Sequence, residues 1–327
     1  MANQQETILT LNKNYFLFLN KKKIKIIEIK YFNIEKFKIY FNIKNKCMNK
    51  IGSSETIRKT TFDFFNYTQN IVSHQTTINK DFLEWFIGFT EADGSFIVSN
   101  NRLFFIINQK EQKILYAIKK NLGFGKVSTY KTYSRYIVAD RKNIDKLICI
   151  FNGNLVLDKT NTRFLSWLHA RNMYSIEKIE YLQKNEFICF SDNAWLSGFI
   201  DAEGCFNATK IKDSRYTLKF RVGLRFILDQ KNEKQVFYKL QSFLQSGVIS
   251  NRIKVEHMFR FTSTSISSHE ILIKYLQRYS LRSIKKVSFL RFCSLLQYIK
   301  NRKNFPWENK VLLRIENLLK NISEKES

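Results

Sequence analysis

The stretch "FIGFTEADGSF" (Phe86–Phe96) has a near-twin in "LSGFIDAEGCF" (Leu196–Phe206). Laid over one another without gaps, they pair Gly88 with Gly198, Ala92 with Ala202, Asp93 with Glu203 and Gly94 with Gly204. The likeness continues past the phrases. Each is followed by strand-like residues and then by a "QK" step that opens a helix, "INQKEQK" in the first copy and "LDQKNEK" in the second. Gln109 thereby falls on Gln230, Lys110 on Lys231 and Lys113 on Lys234. Agreement in motif, order and second anchor identifies an internal duplication, each copy reading helix–strands–helix–strands–helices.

The first copy predicts an apolar helix over 82–92 and a hairpin turning at Asn100-Asn101. An amphipathic helix with Ile114, Leu115, Ile118 and Leu122 on one face then stops at Gly123. Strands near 126–130 and 135–139 and helices near 144–151 and 161–175 complete it. The second copy predicts a helix over 194–202, strands near 205–211 and 215–228, and a helix stopped by Gly247. Strands near 248–254 and 257–262 and helices from Ser268 and Ile284 follow. Around the repeats, 79–180 and 181–305, lie a Lys/Ile/Asn-rich extension over 1–78 and a tail over 306–327. The extension reads either as a poorly ordered basic leader or as an arm that contacts DNA.

Fifty-five Lys and Arg against 28 Asp and Glu give a net charge of +27 over 327 residues, which points to a polyanionic partner. Nucleic acid is the first choice and an anionic membrane surface the weaker one; no apolar run approaches the length of a span. The five cysteines are scattered and the four histidines isolated, which disfavours a disulfide framework, a zinc site and a histidine-based nuclease. Lys, Asn, Ile, Phe and Tyr, all with A/T-rich codons, are abundant, so an organelle genome is expected, a mitochondrion before a chloroplast. The N-terminus lacks the acid-poor, Arg-rich pattern of an import peptide.

On a helix Gly88 and Ala92 share a face, as do Gly198 and Ala202, and small residues four apart let two backbones approach closely. Each helix then ends in an acid and a glycine, expected as a left-handed helix stop. Glu91 and Asp93 face different ways, so one acid per copy can serve a shared seam. If the helices pair, Asp93 and Glu203 come together, and two such carboxylates call for a cation between them. A divalent, oxygen-liganded ion such as Mg2+ suits them, and in a basic protein this suggests metal-assisted phosphodiester chemistry.

Here the sequence resembles the LAGLIDADG homing endonucleases, in the single-chain form with two repeats. "FIGFTEADG" and "LSGFIDAEG" both match the nine-residue motif, and the likeness covers about residues 80 to 300. The resemblance implies an α+β fold: two pseudo-twofold-related αββαββα halves forming a β-saddle, the motif helices at the central interface and β-ribbons in the DNA major groove. It implies that Asp93 and Glu203 bind the catalytic Mg2+ or Mn2+, with Gln109 and Gln230 as polar residues around the central metal. The family's late lysine, in an L-x-x-x-K phrase, matches Lys285 in "LRSIKK" and, in a less certain register, Lys159 in "LVLDKTN".

The strands support DNA reading independently. In "TLKFRVGLRF" Lys219, Arg221 and Arg225 alternate with apolar residues, and in "SNRIKVEHMFRFT" Arg252, Lys254 and Arg260 do the same. An apolar back and a basic front can sit on helices while reading base edges. The first copy's strands are less basic, so a non-palindromic duplex target is expected. The function expected is a monomeric, metal-dependent, sequence-specific DNA endonuclease of intron homing. Its rivals are a maturase acting on host intron RNA, alone or as a second function, and a catalytically silent DNA-binding regulator.

Overall fold

The computed structural model describes residues 9–12, 15–20, 23–28, 62–69, 79–173, 175–184, 188–216, 218–252, 255–301 and 308–323. It divides into two compact units, residues 1–57 and 58–327. In the first, β1 (Leu9–Asn12), β2 (Tyr15–Asn20) and β3 (Lys23–Glu28) form an antiparallel sheet in that order. The stretch read as a leader thus contains three strands, and "YFLFLN" and "KIKIIE" have the aromatic and β-branched content that strands favour.

The second unit holds two halves of the same construction. After α1 (Phe65–Gln69), the first half runs α2 (Lys80–Asp93), β4 (Gly94–Ser99), β5 (Arg102–Gln109), α3 (Gln112–Leu122), β6 (Lys126–Thr129), β7 (Ser134–Val138), α4 (Arg141–Phe151) and α5 (Asp158–Met173). The second runs α6 (Trp195–Glu203), β8 (Cys205–Lys212), β9 (Phe220–Lys231), α7 (Lys234–Leu244), β10 (Val248–Asn251), β11 (Met258–Ser263), α8 (Ile266–Arg278) and α9 (Lys285–Asn301), with α10 (Asn309–Ser323) added. The sheets have one topology, β4-β5-β7-β6 and β8-β9-β11-β10, antiparallel throughout. Strand register settles the equivalences: Phe96 pairs with Phe105 and Phe206 with Phe226, so Gln109 and Gln230 occupy one position.

Phe96 and Phe206, the last residues of the two quoted phrases, each anchor an aromatic core beneath a sheet. Phe96 meets Phe105, Phe151, Phe164 and Trp167, and Phe206 meets Phe226, Phe289 and Phe292, with centroids 5.1–5.6 Å apart. Helix entrances are capped as their sequences suggest: Asp140 accepts from the Asn143 N–H at 3.0 Å and Ser265 from the Ser268 N–H at 3.2 Å.

Four details depart from expectation. Gly94 and Gly204 follow α2 and α6 in extended backbone (φ −81° and −70°), because the chain runs straight from helix into strand. Glycine is required there for room: a Cβ would lie 2.6 Å from the Thr90 carbonyl oxygen and 2.7 Å from that of Ile200. The helix read as stopping at Gly247 ends at Leu244, with Gln245 in the left-handed conformation (φ 56°). Residues 62–69, assigned to the extension, belong to the first half's core. Phe62, Phe64 and Tyr67 are buried there, α1 packs on α4, and the Asn154 side chain holds both backbone groups of Asp63. The supposed tail carries α10, whose Ile315, Leu319 and Ile322 are buried where it packs on β8 and α9.

Candidate active site and nucleic-acid interface

Helices α2 and α6 lie against each other in the same direction along the seam between the halves. Their contact is reciprocal. A Cβ on Gly88 would stand 2.0 Å from the Trp195 carbonyl oxygen, and one on Gly198 would stand 1.8 Å from that of Trp85. Main chain therefore meets main chain, which only glycine permits. Ala92 and Ala202, one turn further on, are partly buried in the same packing.

The first acid of each motif, Glu91 and Asp201, ties the seam to the rest of its half. Glu91 accepts from the N–H groups of Val156 (2.9 Å) and Leu157 (2.7 Å) and from the Trp195 indole. Asp201 accepts from the N–H groups of Arg282 (2.7 Å) and Ser283 (3.1 Å), the Ser283 hydroxyl and the Trp85 indole (2.8 Å). Burial raises both carboxyls, Glu91 up to about 8, against the lowering pull of these donors. Their matching partners align Val156 with Arg282 and Leu157 with Ser283. Lys159 and Lys285, each two residues beyond the second amide, are therefore equivalent, and the register open in the sequence is settled.

Asp93 and Glu203 complete the helix ends. They lie close enough that the Asp93 charge helps raise Glu203. Burial, with that charge second, pushes Glu203 up to about 7, and burial pushes Asp93 up to about 6. Lys285 opposes both shifts; its Nζ donates to the Ala202 and Ile200 carbonyls at the end of α6. Gln109 Nε2 donates to Asp93 Oδ2. The second copy is different at both places. Gln230 accepts from the Lys231 N–H (3.2 Å), and Lys159 acts on Glu203 through its charge.

The ribbons carry the predicted cations on their outer faces. Arg221 and Arg225 are exposed on β9, and Arg225 donates to Asn207 Oδ1 of β8 (2.9 and 3.2 Å). Arg260 of β11 grips Asp229 through two 2.7 Å bonds, and Arg252 donates to the same carboxylate at 3.0 Å. Lys219 stands in a turn before β9 with φ 57°, and not on the strand, its N–H donating to the Tyr216 carbonyl and its carbonyl accepting from the Asp213 N–H. Lys254 lies outside the described residues.

A family model described as "LAGLIDADG endonuclease" matches residues 85–171 and 196–296, one match per half and together more than half of the chain. The chain belongs to the LAGLIDADG endonuclease family. A Neurospora crassa relative, "Probable intron-encoded endonuclease 4", is 36% identical over 70% of this chain, which spans 42% of that relative's length. A Schizosaccharomyces pombe relative, "Probable intron-encoded endonuclease Cox1-I1b", is 28% identical over 80% of this chain and 74% of its own. Among solved structures, the LAGLIDADG meganuclease I-AabMI bound to uncleaved DNA superimposes with a TM-score of 0.58 at 21% identity, covering 73% of this chain and 98% of the other. The two-repeat LAGLIDADG architecture is thus established for this chain.

Several residues of this LAGLIDADG protein escaped the sequence reading. Glu111 accepts from the Ile284 N–H (2.8 Å) and Glu233 from the Lys159 N–H (2.7 Å), so each half's acid caps the lysine-bearing helix of the other. Their signal was present as a repeated Glu after the "QK" step. Arg135, which donates to Asn108 at 2.9 Å, is the first half's counterpart of Arg260 on Asp229. Asn207 and Asp229, which hold arginines, become visible only once strands are paired.

Proposed function

We propose that the chain is a divalent-metal-dependent, sequence-specific DNA endonuclease that cuts both strands of a non-palindromic duplex as a monomer. The observation that carries this reading is the pairing of Asp93 and Glu203, one acid from each half, at the end of a glycine-tight seam. The donor set suits a hard cation. It offers two carboxylates, the oxygen donors such an ion takes. Asp93 and Glu203 would hold the ions, which when bound activate water and stabilise the leaving oxygen.

The chain's own residues prepare that site. Lys285 opposes the burial that would protonate the two acids, and Lys159 does so for Glu203. Gln109 fixes the Asp93 carboxylate in one orientation. Arg221, Arg225, Arg252 and Arg260 would face the duplex, the anchored ones presenting guanidinium edges in fixed directions. The unequal ribbons support a non-palindromic target, and two acids in one chain support action as a monomer. Expression inside an organelle, a mitochondrion first, is supported by the A/T-coded composition and by the Cox1 intron in the name of the S. pombe relative.

The test is cleavage, with Mg2+, of a duplex spanning the intron-free insertion site of the host gene. Asp93→Asn and Glu203→Gln should each abolish double-strand cutting while duplex binding persists. Normal cutting by either variant would remove that acid from the chemistry. RNA binding without cutting by the wild type would favour the maturase alternative.

A further inference from the structure

A cavity of about 320 Å³ opens beside the N-terminal end of α2, lined by Asp81, Trp85, Ala194 and the run from Arg278 to Arg282, with Lys286. Its volume falls within the range of about 300–1,000 Å³ found for small-ligand sites. Asp81 lies in the first turn of α2 and Asp93 ends it, so the cavity lies about 18 Å along the helix axis from the paired acids. It is a separate place.

Its chemistry is basic. Arg278, Arg282 and Lys286 supply three cations against the single acid Asp81. Among the described residues none of the three is ion-paired to a carboxylate. The Arg282 guanidinium lies over the rings of Phe82 (5.4 Å) and Trp85 (5.6 Å), and that of Arg278 over Tyr279 (5.0 Å). The fold does not require a cation there: the residue equivalent to Arg282 across the pseudo-twofold is Val156. Arg278 also donates to the Ser191 carbonyl at 3.4 Å. Guanidinium groups without a carboxylate partner, set on aromatic faces in a recess, favour phosphate, which they can bind bidentately. The lone carboxylate suits a hydroxyl donor on the same ligand.

We propose that this cavity binds a ribonucleotide unit, its phosphate among Arg278, Arg282 and Lys286 and a ribose hydroxyl donating to Asp81. A free mononucleotide and a single RNA strand share that chemistry, whereas a duplex, with phosphates on a broad convex surface, does not enter a recess of this size. The site stands independently of the cleavage reading, since it uses neither the seam acids nor the ribbons.

The full chain is titrated with a labelled single-stranded oligoribonucleotide by anisotropy and with adenosine monophosphate by calorimetry. A labelled duplex DNA serves as a third probe. Arg278→Glu combined with Lys286→Glu is compared with Lys119→Glu combined with Lys120→Glu, an equal change of charge at exposed residues of α3. The cavity pair should weaken the RNA strand about tenfold or more, the scale of losing two charge-assisted contacts. Duplex binding should change no more than in the control pair. Loss of mononucleotide binding as well assigns the site to free nucleotides; loss of strand binding alone assigns it to RNA. Unfolding midpoints of both variants are measured alongside, so that a loss of binding is separated from a loss of fold. Equal losses in the two pairs, no loss in the cavity pair, or a wild type that binds neither ligand would overturn the proposal. Failure of Asp93→Asn to stop cutting would leave this result untouched.

Discussion

Along the seam the halves mirror each other: Gly88 meets Trp195 as Gly198 meets Trp85, and Glu91 serves one helix entrance as Asp201 serves the other. On the ribbons they part company. Asn108 receives one guanidinium where Asp229 receives two, and Phe104 stands where the second half has Arg225. Strands β8 and β9 have 8 and 12 residues against 6 and 8 in β4 and β5, and only the longer ribbon is backed by α10, with Lys210 bonded to Glu316 at 3.0 Å. Contacts between backbones have one solution and stayed alike after duplication. Outward side chains meet no such constraint within the fold, and these are what differ.

The largest effect should come from the seam. Gly88→Ala and Gly198→Ala should each cost about 3 kcal/mol, the upper end of overpacking penalties, because the obstructing atom is backbone and no rotamer relieves it. Urea unfolding of both variants tests the mirror relation. A cost confined to one of them would show that the seam is symmetric in shape and not in energy.

The ribbons should answer oppositely. Arg225→Ala should weaken binding to the target duplex by about 2 kcal/mol and flatten its salt dependence. Phe104→Ala, at the equivalent position, should leave the salt slope unchanged. Anisotropy titrations over a range of salt measure both, and equal slopes would erase the proposed difference in how the halves read DNA.

The smallest effect lies in the cores. His269, buried in α8 with its Nε2 near the Ser263 carbonyl and its ring against Phe292, takes the place of Ile144 in α4. Burial lowers its pKa below the ordinary 6.5. The unfolded chain then binds the proton more readily, so stability should fall as pH drops below about 6.5. His269→Ile should remove that part of the decline. Denaturant unfolding at several pH values decides it; a decline of unchanged steepness would place the acid sensitivity elsewhere.

The duplication and the glycine seam were legible from the repeated spacing. The expectation that one acid per copy serves the seam was not met, since Glu91 and Asp201 also reach across it to the Trp195 and Trp85 indoles. The equivalence of Lys159 and Lys285 was not legible. It depends on which backbone amides two buried carboxylates select, and amides carry no sequence signature. The left-handed stop expected at Gly94 and Gly204 failed for a related reason, since a glycine needed for clearance looks the same as one needed for a positive φ. Helix α10 was missed although "VLLRIENLL" has helical periodicity, because its placement beyond the second copy suggested a tail. The split between Gln109, on Asp93, and Gln230, turned to its neighbour's amide, lies below the resolution of any pattern of residue types.

Because carbonyl groups and α-carbons make the closest contacts at Gly88 and Gly198, the spacing between the two sheets is gauged by atoms common to every amino acid. Surface residues on either ribbon can be exchanged, lengthened or recharged without altering that gauge. On the proposed reading, the protein acquires a new address on one side of its duplex target while its paired acids stay in register.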